Sequence, residues 1–410
     1  MKEISIGRMP SQIRPKNCHL KCAIRSCTIA LLFVIILIPA TSQANLQQQS
    51  KAHDSEVVPQ PAMSAVLSAF DQYEVVGMPE AHGMKDVDDF ILSLIRSTEF
   101  PEKVNDIAVE CGNSLYQPLL DKYIAGDYVP FSDVQKVWRD TTQPMCGMSG
   151  FFEQFFPLMR AINQRLPPEK RIRVLAGDPP VDWGKVKAFG DVGKFGSRDA
   201  SIASVMEKEV LSKHRKALML FGSMHLFHTI GTAVSIYEKD YPHVTFVITE
   251  HRIFDSDTSD SMNDPFARWP APSLVLIKGT WLGALDVGQF WPPEVKMDQN
   301  CNVEYVYPKE LEKPLEELAD AVLYLGPRNL SLKESIPADI ALDEDYMMEL
   351  QRRTVFQFHG ATARTIREVN RQNMSGAENP IDVIPNLRTI PKATFSKPCL
   401  ESKRGSGGTQ

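Results

Sequence analysis

Carboxylate and imidazole side chains follow several short apolar stretches of this sequence. Glu80 and His82 come directly after the apolar stretch Tyr73–Met78, and His225 follows the stretch Lys216–Phe221. A histidine beside a carboxylate can take a proton from a bound water, because the usual pKa of imidazole lies near neutrality. The same residue types also bind divalent metals. These stretches therefore indicate either acid–base chemistry or a metal site.

Two further carboxylates occupy equivalent positions. Glu110 ends the stretch Val104–Glu110, and Asp178 follows the stretch Arg171–Ala176. In an open α/β sheet, ligands bind at the carboxyl ends of the strands. Parallel strands would bring five side chains to one edge of the sheet, namely Glu80, His82, Glu110, Asp178 and His225. The alternative is that these residues only cap helices and hold loops.

The elements that must position these side chains can be read from hydrophobic periodicity. The strands are predicted over Tyr73–Met78, Val104–Glu110, Arg171–Ala176, Lys216–Phe221, Val244–Thr249, Ser273–Lys278 and Ala321–Leu325. Apolar residues at helical spacing predict helices over Asp86–Arg96, Tyr116–Ala125, Val134–Arg139, Phe151–Arg165 and Ala200–Ser212. This alternation predicts an α/β fold with an open, mostly parallel sheet flanked by helices, and with a helical insertion after the second strand.

The first 44 residues have the features of a signal peptide. Basic residues precede the apolar run Thr28–Ile38, and small residues lead to Ala44. This run is shorter than the roughly 20 apolar residues of a membrane-spanning helix. We therefore expect export to the periplasm or the extracellular space, with cleavage after Ala44 and no stable membrane span afterwards. An uncleaved membrane anchor is the alternative.

The rest of the chain divides by composition. We predict a linker over residues 45–62, one α/β domain over residues 63–374 and a polar, disordered tail over residues 375–410. The formal charge of the whole chain is -6; loss of residues 1–44 removes six basic residues and one acidic residue, so 39 minus 50 gives -11. An acidic chain does not favour nucleic acid as a partner. A small molecule or a peptide is the expected substrate.

Four cysteines remain after the predicted cleavage, and an exported protein can oxidise them. They are Cys111, Cys146, Cys301 and Cys399, which permit three pairings that the sequence does not rank. Cys111 follows a predicted strand and is also compatible with a plain buried thiol. The absence of a Cys-x-x-Cys pair argues against a structural zinc site.

Five motifs resemble the erythromycin esterase-like and ChaN-like (haem-binding uptake, Tiki) superfamily. They are Gly-Met-Pro-Glu-Ala-His-Gly at 77–83, Ala-Val-Glu at 108–110, Ser-Arg-Asp-Ala-Ser-Ile-Ala at 197–203, Leu-Phe-Gly-Ser-Met-His at 220–225 and Ala-Asp-Ala-Val-Leu-Tyr-Leu-Gly at 319–326. The resemblance covers most of residues 70–330 and implies the same α/β fold.

The resemblance also implies a hydrolase, either an esterase or a metal-dependent peptidase-like enzyme. His82 would act as the general base on a water, and the catalytic set would be completed by Glu80, Glu110 and His225. Arg198 and Asp178 would bind the substrate, with Arg198 holding a carboxylate or stabilising negative charge. Arg198 could equally belong to a structural Arg–Glu pair.

The two branches of the superfamily imply different cofactors. A metal-dependent hydrolase of the Tiki type would bind a divalent metal through His82, His225 and Glu110, with Glu80 or Asp178 as a further ligand. A ChaN-like protein would bind haem or metal for uptake and would not be an enzyme. The sequence leaves the acid–base, metal and haem hypotheses open.

Overall fold

The computed structural model describes residues 56–80, 82–251, 266, 268–287, 294–297, 303–306, 309–327, 332, 334 and 336–357. The predicted signal peptide, most of the predicted linker, the predicted tail and Cys301 and Cys399 lie outside the described residues.

Seven strands of the structure overlap the seven strands that the sequence predicted. In chain order the strands are β1 (Gln60–Pro61), β2 (Val75–Pro79), β3 (Asp106–Asn113), β4 (Arg173–Asp178), β5 (Ala217–Phe221), β6 (Thr245–Glu250), β7 (Ser273–Leu276), β8 (Glu294–Met297), β9 (Val303–Val306) and β10 (Ala321–Tyr324). The sequence pattern did not predict β1, β8 or β9. The two-residue β1 lies within the predicted linker, where it pairs with β7.

Eight of these strands form one sheet in the order β1-β7-β10-β6-β2-β5-β3-β4, and β8 pairs with β9 separately. The neighbours from β10 to β4 are parallel, whereas β7 runs antiparallel to both β10 and β1. The predicted open, mostly parallel α/β sheet is therefore confirmed, with an antiparallel edge.

Helices connect and cover the strands. They span Ala62–Ala69, Lys85–Arg96, Phe100–Lys103, Gln117–Ala125, Phe131–Arg139, Gly150–Asn163, Arg198–Glu209, Ser223–Leu226, Ala233–Tyr237, Ala338–Ala341 and Glu344–Gln357. Three of them between β3 and β4 form the predicted helical insertion. At the start of Arg198–Glu209, the Ser197 hydroxyl accepts a hydrogen bond from the Ala200 amide at 3.4 Å, so Ser197 caps this helix.

Apolar layers cover both faces of the sheet. In β2, Val76 and Met78 belong to the layer that contains the aromatic side chains of Gly150–Asn163, whereas Val75 belongs to the opposite layer with Tyr237. Strands that are buried on both faces need apolar residues at successive positions rather than at alternate ones. This explains why the central strands are continuous apolar runs in the sequence.

Cys111 of β3 forms a disulfide with Cys146, and the two Cα atoms are 5.3 Å apart. The bond joins β3 to the 3₁₀ helix Pro144–Met148 in the helical insertion. Of the two interpretations of Cys111, the plain buried thiol is therefore wrong.

Within the part of the chain that is described, no helix has both the length and the apolar character required to cross a bilayer.

Candidate functional site

Four neighbouring strands end at the site. In the sheet they lie in the order β2, β5, β3, β4, and Glu80 directly follows β2 while Asp178 is the last residue of β4. Glu110 lies within β3, and His225 lies in the short helix Ser223–Leu226 that follows β5. The structure thus places these residues at one edge of the sheet, together with His82.

Strand β3 is irregular next to Glu110. The pairing of β3 with β4 shifts register between Val109 and Asn113, as expected for a bulge. A Cβ atom on Gly112 would lie 2.8 Å from the Cα of Ala176, so this approach requires glycine. Glu110 is only 2% exposed, and its Oε2 accepts a hydrogen bond from the Gly222 amide at 2.6 Å.

Two imidazole–carboxylate pairs face each other across Glu110. The Nδ1 of His82 lies 2.7 Å from Glu80 Oε2, and the Nδ1 of His225 lies 2.8 Å from Asp199 Oδ1. The Nε2 atoms of both rings point to Glu110 Oε1, at 3.4 Å for His82 and 3.8 Å for His225. The Asp199 contact is a hydrogen bond, which fixes the orientation of the His225 ring and leaves its Nε2 for proton transfer, whereas Glu80 and His82 form an ion pair.

The sequence pattern did not assign Asp199 to the site. Asp199 lies in the first turn of the helix Arg198–Glu209, where its Oδ1 contacts His225 and accepts a hydrogen bond from the Ala233 amide at 2.8 Å. The only signal in the sequence is its place in the Ser-Arg-Asp motif, next to Arg198. The contact with His225 spans 26 residues and depends on how two helices pack.

Arg198 joins the ends of two strands. Its Nη2 binds Glu110 Oε1, and its Nε lies 3.4 Å from Asp178 Oδ1. Asp178 also accepts hydrogen bonds from the amide and the hydroxyl of Thr142, at 2.6 and 2.5 Å. The structure therefore shows Arg198 in the carboxylate pairing that was one of its two interpretations. Substrate binding by Arg198 and Asp178 remains a prediction.

Charges within the site control its protonation. Burial alone would lower the pKa of His82, but the negative charges of Glu80 and Glu110 outweigh it and raise this pKa well above its usual range. Burial would raise the pKa of Glu110, but His82 and Arg198 hold it well below its usual range. The site therefore favours the imidazolium form of His82, which must lose a proton before it can act as a base.

The metal hypothesis can be compared with the ligand atoms that the structure brings together. Glu80, His82 and Cys111 offer three atoms within 4.8 Å of one another. However, Cys111 is bonded to Cys146, and a disulfide sulfur is not a thiolate ligand. The predicted set of His82, His225 and Glu110 converges on one carboxylate oxygen that Arg198 already binds. The disulfide-bonded site therefore does not fit a metal well.

No protein family model matches the chain, and no curated protein matches it. Among solved structures, the chain is similar to a Bacillus cereus protein, with 11% identity, a TM-score of 0.43 and coverage of 72% of this chain and 99% of that chain. It is similar to a succinoglycan biosynthesis protein, with 10% identity, a TM-score of 0.42 and coverage of 72% and 100%. It is also similar to an erythromycin esterase variant in its open conformation, with 11% identity, a TM-score of 0.40 and coverage of 67% and 94%.

Proposed function

We propose that this chain is an exported hydrolase that activates water with the imidazoles at the carboxyl edge of its sheet, and that its substrates are esters. The observation that carries the proposal is the convergence of two imidazole–carboxylate pairs, Glu80–His82 and Asp199–His225, on one oxygen of Glu110. An imidazole held beside a carboxylate can accept a proton from water and then donate it to a leaving oxygen, and ester hydrolysis needs both steps.

Each residue has a defined role in this reaction. Deprotonated His82 takes a proton from a water, whose oxygen forms a bond to the acyl carbon of the ester. The bond from the acyl carbon to the leaving oxygen breaks, and His82, which now carries the proton from the water, donates it to that oxygen, while His225, held by Asp199, positions the substrate. The products are a carboxylic acid and an alcohol. Arg198, held by Glu110 and Asp178, supplies positive charge for the oxyanion that develops.

A substrate panel tests this proposal against its alternatives. The purified chain is assayed with aryl and alkyl esters and with peptides, with and without a chelator, and its haem and metal contents are measured. Ester turnover that survives the chelator is expected. Turnover that is lost to the chelator and restored by a divalent metal would identify a metal-dependent hydrolase instead. Bound haem without turnover would identify a binding protein.

Asp199→Asn is expected to lower kcat for ester hydrolysis by about 10- to 100-fold, as for other residues that orient a functional histidine. The reason is that the neutral amide of asparagine holds the His225 ring less firmly than the carboxylate of Asp199 does. The KM is expected to change little. Asp133→Asn is the matched control, because Asp133 also lies in the first turn of a helix but is partly exposed and pairs with Lys136. Equal effects of the two substitutions on kcat would contradict the role of Asp199.

The pH dependence of kcat/KM reports on His82. Because the base form is neutral, the rate is expected to rise with pH through a pKa above the usual histidine range. Glu80→Gln removes one of the negative charges that raise this pKa, so the rise is expected at lower pH in the variant. The measurement is kcat/KM between about pH 5 and pH 10. A rise at the same pH in both proteins would show that His82 is not the titrating base.

A further inference from the structure

A second concave region lies between the helix Lys85–Arg96 and the start of the helix Gly150–Asn163. Its volume is about 330 Å³, and its walls include the apolar side chains of Leu92 and Phe151. This space is large enough for a small organic group and far larger than a single ion. Its polar lining is dominated by carboxylates.

One of these carboxyl groups has an oxygen without a hydrogen-bond partner among the described residues. Asp88 is 4% exposed and lines the cavity, yet its Oδ1 accepts no hydrogen bond from any described residue. A buried carboxyl oxygen without a donor is costly, and native structures rarely leave one in this state. A donor on a bound ligand would satisfy it.

Other charges of the lining are already neutralised. Lys85 pairs with Asp89 at 2.6 Å, and Glu153 pairs with Arg139 at 2.6 Å. Neither Lys85 nor Arg139 is therefore free to compensate Asp88. Among the described residues, the lining therefore offers a ligand carboxyl groups but no unpaired cation.

Glu334 is a second carboxyl group of the lining, and it forms no salt bridge with any residue that the structure describes. Its Oε1 accepts hydrogen bonds from the amide of Phe151 and, at 3.3 Å, from the hydroxyl of Ser149, and both donors are neutral. The Glu334 amide donates to the carbonyl of Gly83 at 2.9 Å, so this residue lies beside the segment that carries His82. The cavity therefore adjoins the hydrolytic site.

We infer that this cavity binds an organic ammonium group, with Asp88 and Glu334 as the two carboxylates that hold it and Leu92 and Phe151 as its apolar contacts. A bare Ca²⁺ or Mg²⁺ ion fits less well, since such ions need about six oxygen ligands and a site of their own size. The location beside His82 makes the ammonium part of an ester substrate, and this last point rests on the proposed function.

Charges around Asp88 support the inference. Burial, together with the negative charges of Glu80, Glu334 and Asp89, raises the pKa of Asp88 to about 9, and the positive charge of His82 opposes this shift. A bound cation stabilises the ionised form of a carboxyl group and therefore lowers its pKa. Ammonium binding is therefore expected to be tighter at pH 8 than at pH 6, with release of protons.

Calorimetry with simple probes tests the inference on the full chain. The probes are n-butylammonium, the neutral n-butanol, and Mg²⁺ or Ca²⁺ alone. Butylammonium is expected to bind more tightly than butanol, and Asp88→Asn or Glu334→Gln is expected to weaken its binding about tenfold, as for the loss of one charged hydrogen-bond partner. Asp133→Asn is the matched control and should leave binding unchanged.

Several outcomes would overturn the inference. They are equal binding of butanol and butylammonium, binding of the metal ions in preference to the amine, no binding of butylammonium, or butylammonium binding that neither carboxylate variant weakens. Because these measurements use no turnover, they separate the cavity from the reaction. Ester hydrolysis without amine binding would refute only the ammonium site. Amine binding without turnover would refute only the hydrolase function.

Discussion

Replacement of His82 by alanine is expected to lower kcat/KM for ester hydrolysis by about 100-fold or more, the usual contribution of a positioned acid–base group. His82 has the Glu80 carboxylate at 2.7 Å from its Nδ1 and directs its Nε2 toward Glu110. No other imidazole within the described residues contacts both of these carboxylates. The loss of the ring therefore removes the proposed base, and the effect is measured as steady-state kinetics of the purified variant.

The same substitution also changes the charge balance of a buried site. Without the imidazolium, Glu80 and Glu110 lose a partner, so the free energy of unfolding is expected to fall as well. Kinetics must therefore be compared at a temperature at which circular dichroism shows a folded variant. His214→Ala is the matched control, because the His214 side chain is 85% exposed and lies outside the site. Full activity in a folded His82→Ala protein would refute the assignment.

Loss of the Cys111–Cys146 disulfide is expected to lower the free energy of unfolding by about 4 kcal/mol. The bond closes a loop of 35 residues, and the entropy of such a loop in the unfolded chain gives a contribution of this order. The measurement is the urea midpoint of the wild type with and without a reductant. Cys111 follows Glu110 directly, so reduction should also lower activity by loosening the bulge that positions this carboxylate.

The double variant Cys111→Ala with Cys146→Ala provides the control for this experiment. It should unfold at the urea concentration of the reduced wild type and should not respond to the reductant. An unchanged midpoint for the wild type after complete reduction, verified by thiol titration, would contradict the prediction.

Long apolar runs made the central sheet predictable from the sequence. The strands that end at Pro79, Asp178 and Phe221 are buried on both faces. Short, nearly continuous apolar runs are typical of such strands. The positions of Glu80 and His225 followed directly, because side chains after parallel strands meet at one edge. The set of candidate residues was therefore predictable, although its catalytic roles are not tested by the structure.

Features that depend on long-range packing were not predictable. The pairing of Cys111 with Cys146 was one of three possibilities, and only the packing of the helical insertion against β3 selects it. The four residues of β7 do not indicate whether this strand runs parallel or antiparallel to its neighbours. Asp199 was not assigned to the site, because local sequence does not reveal that a histidine 26 residues away binds it.

The order of strands in the sheet determines when the site can exist during synthesis. Glu110 receives a hydrogen bond from a residue 112 positions later, and Arg198 binds it across 88 positions. The strand that carries Glu80 also lies next to β5, whose residues are translated much later. A nascent chain that has not yet emerged past the helix Ser223–Leu226 therefore has every carboxylate of the site but no completed sheet to hold them. Contacts of such long sequence separation form late and slowly, so recovery of activity after refolding would report that the whole central sheet has assembled.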